Sequence, residues 1–475
     1  MYDQRHVIDV DAPATATPVP AAQVPAASAR VSSQPSTPQA TPSVAHAAGW
    51  EVGSQLMAMA LRLGSNLILT RLLYPEVFGL MSLLHSVLFV LALLSDVGLT
   101  QAVIASRRED REFLDTVWTI HAVRGLGLWL AAVAVAWPCA LLLNEPTLLW
   151  LLPVGGTVSI FQGLSSLKPW LLRRRMRVVP LIKLELLSNL VLAATMIAMA
   201  KLGFGIAATV VGLLAQNVVQ IVGSYLLPLE LPRPRLLIDA TAKAELVHFG
   251  RWIFFSSCLT AVINKGDQLL LGRLLGAAQL GIYQTALALS DLPELLVGRV
   301  ISSVLMPALA QARHVAPHEF AARYYRVRSW LDPLTFTTIG GLMGMSDWVI
   351  GVLYDDRYRG AAPMLRLLCI RIALHIAATF CETCLFVQGQ SMFGFRRNLF
   401  VSAVLVVAIP LGHYLGGVDG LLWGTIAARL TAFPALWPAA KERGHLWLRR
   451  ELLPLPCIGA GYGLGKLAVW LLPPV

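Results

Sequence analysis

Positively charged side chains occur inside several long apolar segments of this sequence. A charged group in the hydrocarbon core of a membrane is costly unless it faces water or a partner, so each is a candidate for function. The guanidinium group of arginine can donate two hydrogen bonds at once to an anion such as phosphate. The candidates for substrate binding are Arg62, Arg124, Lys265, Arg299, Arg371, His375 and Arg429. Arg62 and Arg429 have an equally weighted alternative role, in which they reach the membrane surface or brace neighbouring helices.

Carboxyl groups occur in the same apolar segments and admit two interpretations. A carboxylate inside a membrane can bind H⁺ or Na⁺, or it can neutralise a neighbouring cation and hold two helices together. For Asp267 the second role is favoured, with Lys265 or Arg299 as its partner. The candidates for ion coupling are Asp96, Asp267, Asp291, Glu294 and Glu382.

Two of these candidate groups have informative spacing. Arg371 and His375 are four residues apart and share one helix face, and Glu382 follows about two turns later. Asp291 and Glu294 flank Pro293, where an interrupted helix would provide a hinge or a site.

The composition excludes a soluble globular domain. Of 475 residues, 56% are apolar and only 14% are charged, whereas soluble domains carry about 25% charged residues. The mean hydropathy is +0.65, and many apolar blocks reach the ~20 residues that a helix needs to cross a bilayer. The net charge of +11 fits basic loops at a membrane surface better than a nucleic-acid interface.

The apolar blocks predict an all-α, polytopic membrane protein. Residues 1–49 are rich in Ala, Pro and Ser and predict a disordered tail without a cleavable signal peptide. The predicted domains are an N-lobe at 50–228, a basic linker at 229–245, a C-lobe at 246–438 and a C-terminal extension at 439–475. The predicted spans are 50–73, 77–105, 116–143, 147–171, 181–201, 205–228, 246–272, 279–311, 329–354, 362–388, 396–415, 418–438 and 452–473.

The loops between these spans alternate in charge. Loops after the even-numbered spans are rich in Arg and Lys, and those after the odd-numbered spans hold few. The positive-inside rule then places the N-terminus and the even loops in the cytoplasm. Arg326, Arg328, Arg396 and Arg397 are counted among these loop residues. The thirteenth segment would put the C-terminus outside, unless it is re-entrant or a further helix exists.

The two halves of the chain resemble each other. Arg71-Leu72-Leu73 with Gly79 recurs as Arg273-Leu274-Leu275 with Gly281, at an offset of about 202 residues. Both copies lie at the same topological point, so we predict two parallel six-helix repeats with the substrate site between them and alternating access by rocking of the two lobes.

The stretch Asn264-Lys265-Gly266-Asp267-Gln268 through Gly276, with Leu280-Gly281-Ile282-Tyr283 and Pro293 after it, resembles helices seven and eight of bacterial polysaccharide transporters. These are the Wzx-like oligosaccharide flippases of the multidrug/oligosaccharidyl-lipid/polysaccharide superfamily. Residues 64–98 and the basic stretch 171–177 are similar to the same family's opening helices and its fourth junction.

The resemblance implies a V-shaped, two-lobed flippase, and not an enzyme, in the bacterial cytoplasmic (inner) membrane. Its cargo would be an undecaprenyl-diphosphate-linked oligosaccharide for exopolysaccharide, capsule or O-antigen biosynthesis. It implies no cofactor, and the coupling ion would be H⁺ or Na⁺. Membrane lipids, a polysaccharide polymerase and export machinery are the expected partners, and nucleic acid is not. Trp129, Trp252 and Trp423 are candidate glycan contacts.

Three other functions compete with this one. A membrane glycosyltransferase or polymerase would need a large loop or a cluster of catalytic carboxylates. A cation-coupled multidrug exporter of the same superfamily would prefer an acidic cavity. A lipid II flippase moves a similar diphosphate lipid and is the harder alternative to exclude. The cationic hypothesis itself requires the embedded Arg and Lys side chains to line a watery crevice rather than to pair off inside one half.

Overall fold

The structure is a computed structural model, which describes residues 44–95, 98–105, 110–175, 177–232, 234–240, 268–315, 319–434 and 448–472. Within these ranges the regular structure is helical throughout, and no strand occurs. The expected all-α fold is confirmed. Lys265, Asp267, Asp96, Trp252 and most of the predicted tail lie outside the described residues.

Eight helices occur among the described residues of the first half. They are α1 (Val44–Leu72), α2 (Pro75–Leu94), α3 (Leu99–Ala105), α4 (Arg111–Leu143), α5 (Leu148–Gly163), α6 (Lys168–Arg174), α7 (Val179–Lys201) and α8 (Ile206–Leu226). The second half begins with helical residues 268–290, called α9, which bend at Gly276 (φ +72°). After it come α10 (Leu292–Val300), a π-helical turn (Ile301–Leu305), α11 (Met306–Val315), α12 (Phe320–Gly344), α13 (Ser346–Leu353), α14 (Ala361–Val387), α15 (Ser391–Leu430), α16 (Leu448–Glu451) and α17 (Pro454–Leu471).

By length and apolar composition, seven of the described helices can cross a membrane, or nine if each of two bent pairs is one span. Two of the seven, Gln268–Arg313 and Met392–Pro434, contain breaks at Gly276 and at Gly416–Gly417. Each therefore covers more than one predicted span. The chain is a multi-pass membrane protein.

Several predicted spans are two helices rather than one. The predicted span 77–105 divides into α2 and α3, the span 147–171 bends by 58° between α5 and α6, and the span 329–354 bends by 70° between α12 and α13. The predicted span 279–311 is interrupted by a turn at Asp291 ahead of Pro293. Proline lacks a backbone donor and strains the preceding helical turn, which explains this last break.

The two halves meet through α2 and α9 in a nearly two-fold manner. A Cβ atom on Gly79 would overlap the carbonyl oxygen of Ala277, and a Cβ atom on Gly281 would overlap that of Pro75. Pro75 and Gly79 match Ala277 and Gly281 at the offset found in the sequence, and Gln284 donates to Ser82 across the same offset of 202 residues. The repeated glycines thus bring two equivalent helices into backbone contact, as small residues do in membranes.

The C-terminal helix α17 packs along α12 through glycines on both helices. Cβ atoms on Gly340 and Gly344 would overlap the carbonyl oxygens of Ile458 and Tyr462, and one on Gly461 would overlap that of Thr337. The described part of the extension, residues 448–472, therefore packs against the second half.

A buried arginine links the same extension to α12. Arg328 is 1% exposed and forms ion pairs with Asp332 (2.9 Å) and with Glu451 of α16 (2.5 Å). Its Nη1 also donates to the Tyr324 hydroxyl, and the guanidinium lies 4.9 Å from the Phe380 ring centroid. The assignment of Arg328 to a basic cytoplasmic loop is wrong, because α12 begins at Phe320 and encloses it.

Arg397 is a second such correction. It lies within α15, is 6% exposed, and pairs with Glu382 of α14 at 2.5 Å. Counting basic residues between hydropathy peaks cannot distinguish a topogenic arginine from one that is buried against a carboxylate one helix away.

The segment after α8 runs along the N-terminal end of α4. The backbone N–H groups of Arg235, Leu237 and Asp239 donate to the side chains of Asp115, Thr119 and Thr116. The described part of the predicted linker is therefore held on the N-lobe by ordered hydrogen bonds.

The glycine contact between α12 and α17 makes a testable prediction. Gly461→Ala places a methyl group against the Thr337 carbonyl and should lower stability by about 1–3 kcal/mol, the usual cost of overpacking. Gly463→Ala is the matched control, because no atom lies within 4 Å of the position that its Cβ would take. Thermal unfolding in detergent compares the two, and equal melting temperatures would contradict the packing.

Candidate functional site

A network of charged side chains joins the start of α10 to α14 and α15. Arg371 on α14 pairs with Asp291 at 3.0 Å, and His375, one turn later, contacts Glu294 at 3.1 Å. The Nη1 atom of Arg429 lies 3.4 Å from the other ring nitrogen of His375. The turn at Asp291 ahead of Pro293 positions both carboxyl groups toward α14. Five residues that sequence reasoning selected from two separate lists thus meet in one place.

The network does not match the expected picture of cations facing an open crevice. Arg371 is 8% exposed, and its guanidinium is paired with a carboxylate of the same half. Burying a cation without a partner costs several kcal/mol, so the Asp291 carboxylate offsets a charge that the helix would otherwise not tolerate. The candidate substrate-binding and ion-coupling residues here form a single ionic network.

One side of the network opens into a cavity of about 340 Å³. Glu294, Arg299, His375 and Thr379 supply its polar lining. An anionic group in this cavity would meet Arg299 and His375 directly, and a cation or proton would meet the Glu294 carboxylate.

The other predicted residues lie elsewhere. Arg62 is on the exposed side of α1, and Glu382 pairs with Arg397. Arg124 on α4 donates from Nε to the Ser95 hydroxyl at 3.0 Å and from Nη2 to the Ala92 carbonyl at 2.8 Å, which satisfies the C-terminal end of α2.

The candidate glycan-contacting tryptophans have ordinary environments. Trp129 donates to the Pro153 carbonyl at 3.1 Å, inside the packed N-lobe. Trp423 is 54% exposed on α15, as expected for an aromatic side chain facing lipid or the membrane interface.

A polar cavity of about 350 Å³ lies among α2, α4, α5 and α8, and sequence reasoning missed all but Arg124 of its polar lining. Its polar residues are His85, His121, Arg124, Ser159, Gln162, Gln216, Asn217 and Gln220. A signal was present in the sequence, since Gln216, Asn217 and Gln220 fall at helical spacing on an otherwise apolar helix. A search restricted to charged groups overlooks neutral amides.

Hydrogen bonds join the two halves at the end of the molecule that holds the loops after the odd-numbered predicted spans. The backbone N–H of Ala277 donates to the Glu145 carboxylate at 3.0 Å, and the Tyr358 hydroxyl donates to the Leu73 carbonyl at 3.3 Å. The edge of Tyr358 also packs on Phe78, with ring centroids 6.2 Å apart. These contacts close this end between the halves.

An arginine in the same loop completes the closure. Arg357 donates to the Arg71 carbonyl at 3.0 Å and lies over the Tyr74 ring. Its hydrogen bond to Asp355 holds the pKa of that exposed carboxyl below its ordinary value.

The Arg371–Asp291 pair makes a second prediction. Asp291→Asn leaves the buried guanidinium uncompensated and should destabilise the protein by about 3 kcal/mol. Asp291→Asn combined with Arg371→Met should recover most of that loss, because no unpaired charge remains. The amount of folded protein and its melting temperature measure both effects.

The same variants distinguish a residue that stabilises helix packing from one that couples transport to an ion. A residue that only couples an ion would leave abundance unchanged and abolish transport. If Asp291→Asn is as abundant and as stable as the unmodified protein, the ion pair does not hold the start of α10 against α14.

Comparison with known proteins identifies the chain's relatives. It is 21% identical to the lipopolysaccharide biosynthesis protein WzxC of Escherichia coli (strain K12), over 88% of this chain and 87% of that protein. It is 24% identical to the succinoglycan biosynthesis transport protein ExoT of Rhizobium meliloti (strain 1021), over 82% of this chain and 78% of that protein.

Solved structures show the same fold. The lipid II flippase MurJ in an inward closed conformation aligns with a TM-score of 0.67 and 11% identity, over 89% of this chain and 99% of MurJ. An inward-facing multidrug resistance MATE transporter of the MOP superfamily aligns with a TM-score of 0.60 and 12% identity, over 82% of this chain and 95% of that one. A family model described as polysaccharide biosynthesis protein matches residues 68–363. The chain belongs to this polysaccharide biosynthesis protein family.

Proposed function

We propose that this protein moves an undecaprenyl-diphosphate-linked oligosaccharide from the cytoplasmic to the outer leaflet of the bacterial cytoplasmic membrane, without chemically changing it. The family, and relatives named for the biosynthesis or transport of lipopolysaccharide and succinoglycan, support this cargo. The observation that carries the mechanism is the contact between the repeated glycines of α2 and α9, which joins two equivalent halves.

The contact lies at the end that the charge pattern predicts to be extracytoplasmic. Two hydrogen bonds continue this contact along α2 away from that end. The Gln284 side-chain nitrogen donates to the Ser82 hydroxyl at 2.7 Å, and the Ser86 hydroxyl donates to the Gln268 side-chain oxygen at 2.8 Å. Asp291 follows Ala277 by 14 residues, or about 21 Å of helix at 1.5 Å per residue. The ionic network therefore lies on the cytoplasmic side of the closed contact, where a cargo would enter.

The cavity beside the network supplies cationic groups for this cargo. A diphosphate carries about two negative charges at neutral pH, and arginine is well suited to binding it. Arg299 and His375 line the cavity, whereas Arg371 and Arg429 belong to the network behind it, where Arg371 is paired with Asp291. Binding of H⁺ or Na⁺ at Asp291 or Glu294 would change the charge that the diphosphate meets, which is the proposed route of coupling.

A cation-coupled drug exporter and a lipid II flippase are the alternatives. Drug cations would be repelled by arginines at the cavity, which disfavours the first. Lipid II presents the same diphosphate on the same type of lipid, so experiment must separate it from a polysaccharide precursor.

Removal of the gene tests the proposal. We expect a lipid-linked oligosaccharide to accumulate in the cytoplasmic leaflet and the surface polysaccharide to disappear. Spheroplasts treated with periodate, an external anion that oxidises vicinal diols, report the leaflet when the extracted lipids are analysed by mass spectrometry. Protection of the oligosaccharide from periodate supports the proposal. Oxidation at the rate seen with the gene present would overturn it, and accumulation of lipid II instead would identify the alternative cargo.

Locking the lobe contact makes a third prediction. In the Ser82→Cys, Gln284→Cys double variant, a short thiol–thiol cross-linker should hold α2 against α9 and reduce transport to a few per cent. Each single variant treated with the same reagent is the control for reaction at the six native cysteines. Undiminished transport in a fully cross-linked population would show that this contact does not open during the cycle.

A further inference from the structure

The polar cavity of the N-lobe lies apart from the proposed diphosphate site in the other half. Its lining includes one arginine, Arg124, which donates to the Ser95 hydroxyl and the Ala92 carbonyl. We propose that this cavity, among α2, α4, α5 and α8, is a separate subsite that binds an uncharged, hydroxyl-rich sugar of the cargo. The inference rests on the proposed function and adds to it, because it assigns glycan recognition and diphosphate binding to different lobes.

The size and lining of the cavity suit a sugar. Its volume of about 350 Å³ would hold about a dozen water molecules at roughly 30 Å³ each and lies within the range of small-molecule sites. Four carboxamides from two helices, Gln162 of α5 and Gln216, Asn217 and Gln220 of α8, line it together with Ser159. Polar groups cost free energy inside a membrane bundle, so such a concentration requires a reason beyond packing.

The orientation of these amides is the stronger argument. Gln216 donates from its side-chain nitrogen to the Asn189 oxygen at 2.9 Å, and Gln220 donates to the Ser188 hydroxyl at 3.3 Å. Both nitrogens are thereby anchored on α7, and neither side-chain oxygen accepts a hydrogen bond from the described residues. The oxygens remain as acceptors, which is what the hydroxyl donors of a sugar require.

Gln162 adds an amide that the fold does not use. Its side chain is exposed at the cavity and makes no hydrogen bond with the described part of the protein. It can therefore both donate to and accept from a ligand.

The duplication shows how the two lobes diverged. At the offset that aligns Gly79 with Gly281, the positions of Phe89 and Ala92 in α2 correspond to Asp291 and Glu294 in the second half. Ala92 lines the N-lobe cavity, whereas Glu294 lines the charged cavity of the C-lobe. Equivalent helices thus present a neutral wall in one lobe and carboxylates in the other, as a cargo with a neutral glycan and a charged diphosphate would need.

A binding experiment separates the two subsites. The probes are undecaprenyl diphosphate, which has no sugar, and the lipid-linked oligosaccharide purified from cells that lack the gene. The variants are Gln162→Leu, which removes no protein hydrogen bond, and Gln216→Met with Gln220→Met. Gln311→Met, on the exposed side of α11, is the matched control outside the cavity. Melting temperatures of the purified variants establish that each is folded.

We expect each cavity variant to weaken binding of the sugar-bearing lipid by about three- to tenfold, the effect of one or two hydrogen bonds, and to leave the sugarless lipid unaffected. Gln311→Met should change neither. Equal loss for both probes, or no loss in folded Gln162→Leu, would overturn the glycan subsite while leaving the flippase proposal intact. If the unmodified protein binds neither probe, the proposed function itself fails.

Discussion

The cost of placing ionised groups inside hydrocarbon governs the second half of this protein. Arg328, Arg371 and Arg397 are each at most 8% exposed, and each is paired with a carboxylate from another turn or another helix. Since an unpaired buried charge costs more than most single packing contacts contribute, these pairs determine which helices must be neighbours. Arg328 requires Glu451, and that requirement fixes the C-terminal extension against α12.

Backbone contact at glycine is the second constraint, and it acts where no charge is present. Lipid tails are as apolar as leucine, so helices in a bilayer gain little from burying aliphatic side chains and more from close approach. The crossing of α2 with α9 and the parallel packing of α12 with α17 both depend on glycines without room for a methyl group. Neutral hydrogen bonds accompany the first contact, whereas an ion pair between Arg328 and Glu451 accompanies the second.

The sequence predicted the helical class, the repeat and the meeting of Arg371 with His375, because hydropathy and helical spacing are local properties. The pairing of Arg371 with Asp291 could not be derived, since it depends on how two helices 80 residues apart in sequence are packed. Arg328 and Arg397 were misplaced for a related reason: basic residues near a span boundary have the same appearance whether they face the cytoplasm or a buried carboxylate. Gln162, Gln216 and Gln220 were missed because neutral amides do not stand out against a criterion based on charge.

The duplication explains why one fold can handle a cargo of mixed chemistry. The interface between the repeats must remain nearly symmetric, because Gly79 and Gly281 each accommodate the other helix's backbone. Deeper in each lobe no such reciprocity applies, and the residues equivalent to Asp291 and Glu294 are Phe89 and Ala92. Under the proposed function, the symmetric part would guide the movement of the lobes, and the asymmetric parts would bind different portions of the cargo. A carrier built in this way can change its glycan preference through the N-lobe without disturbing the ion pairs that hold the C-lobe together.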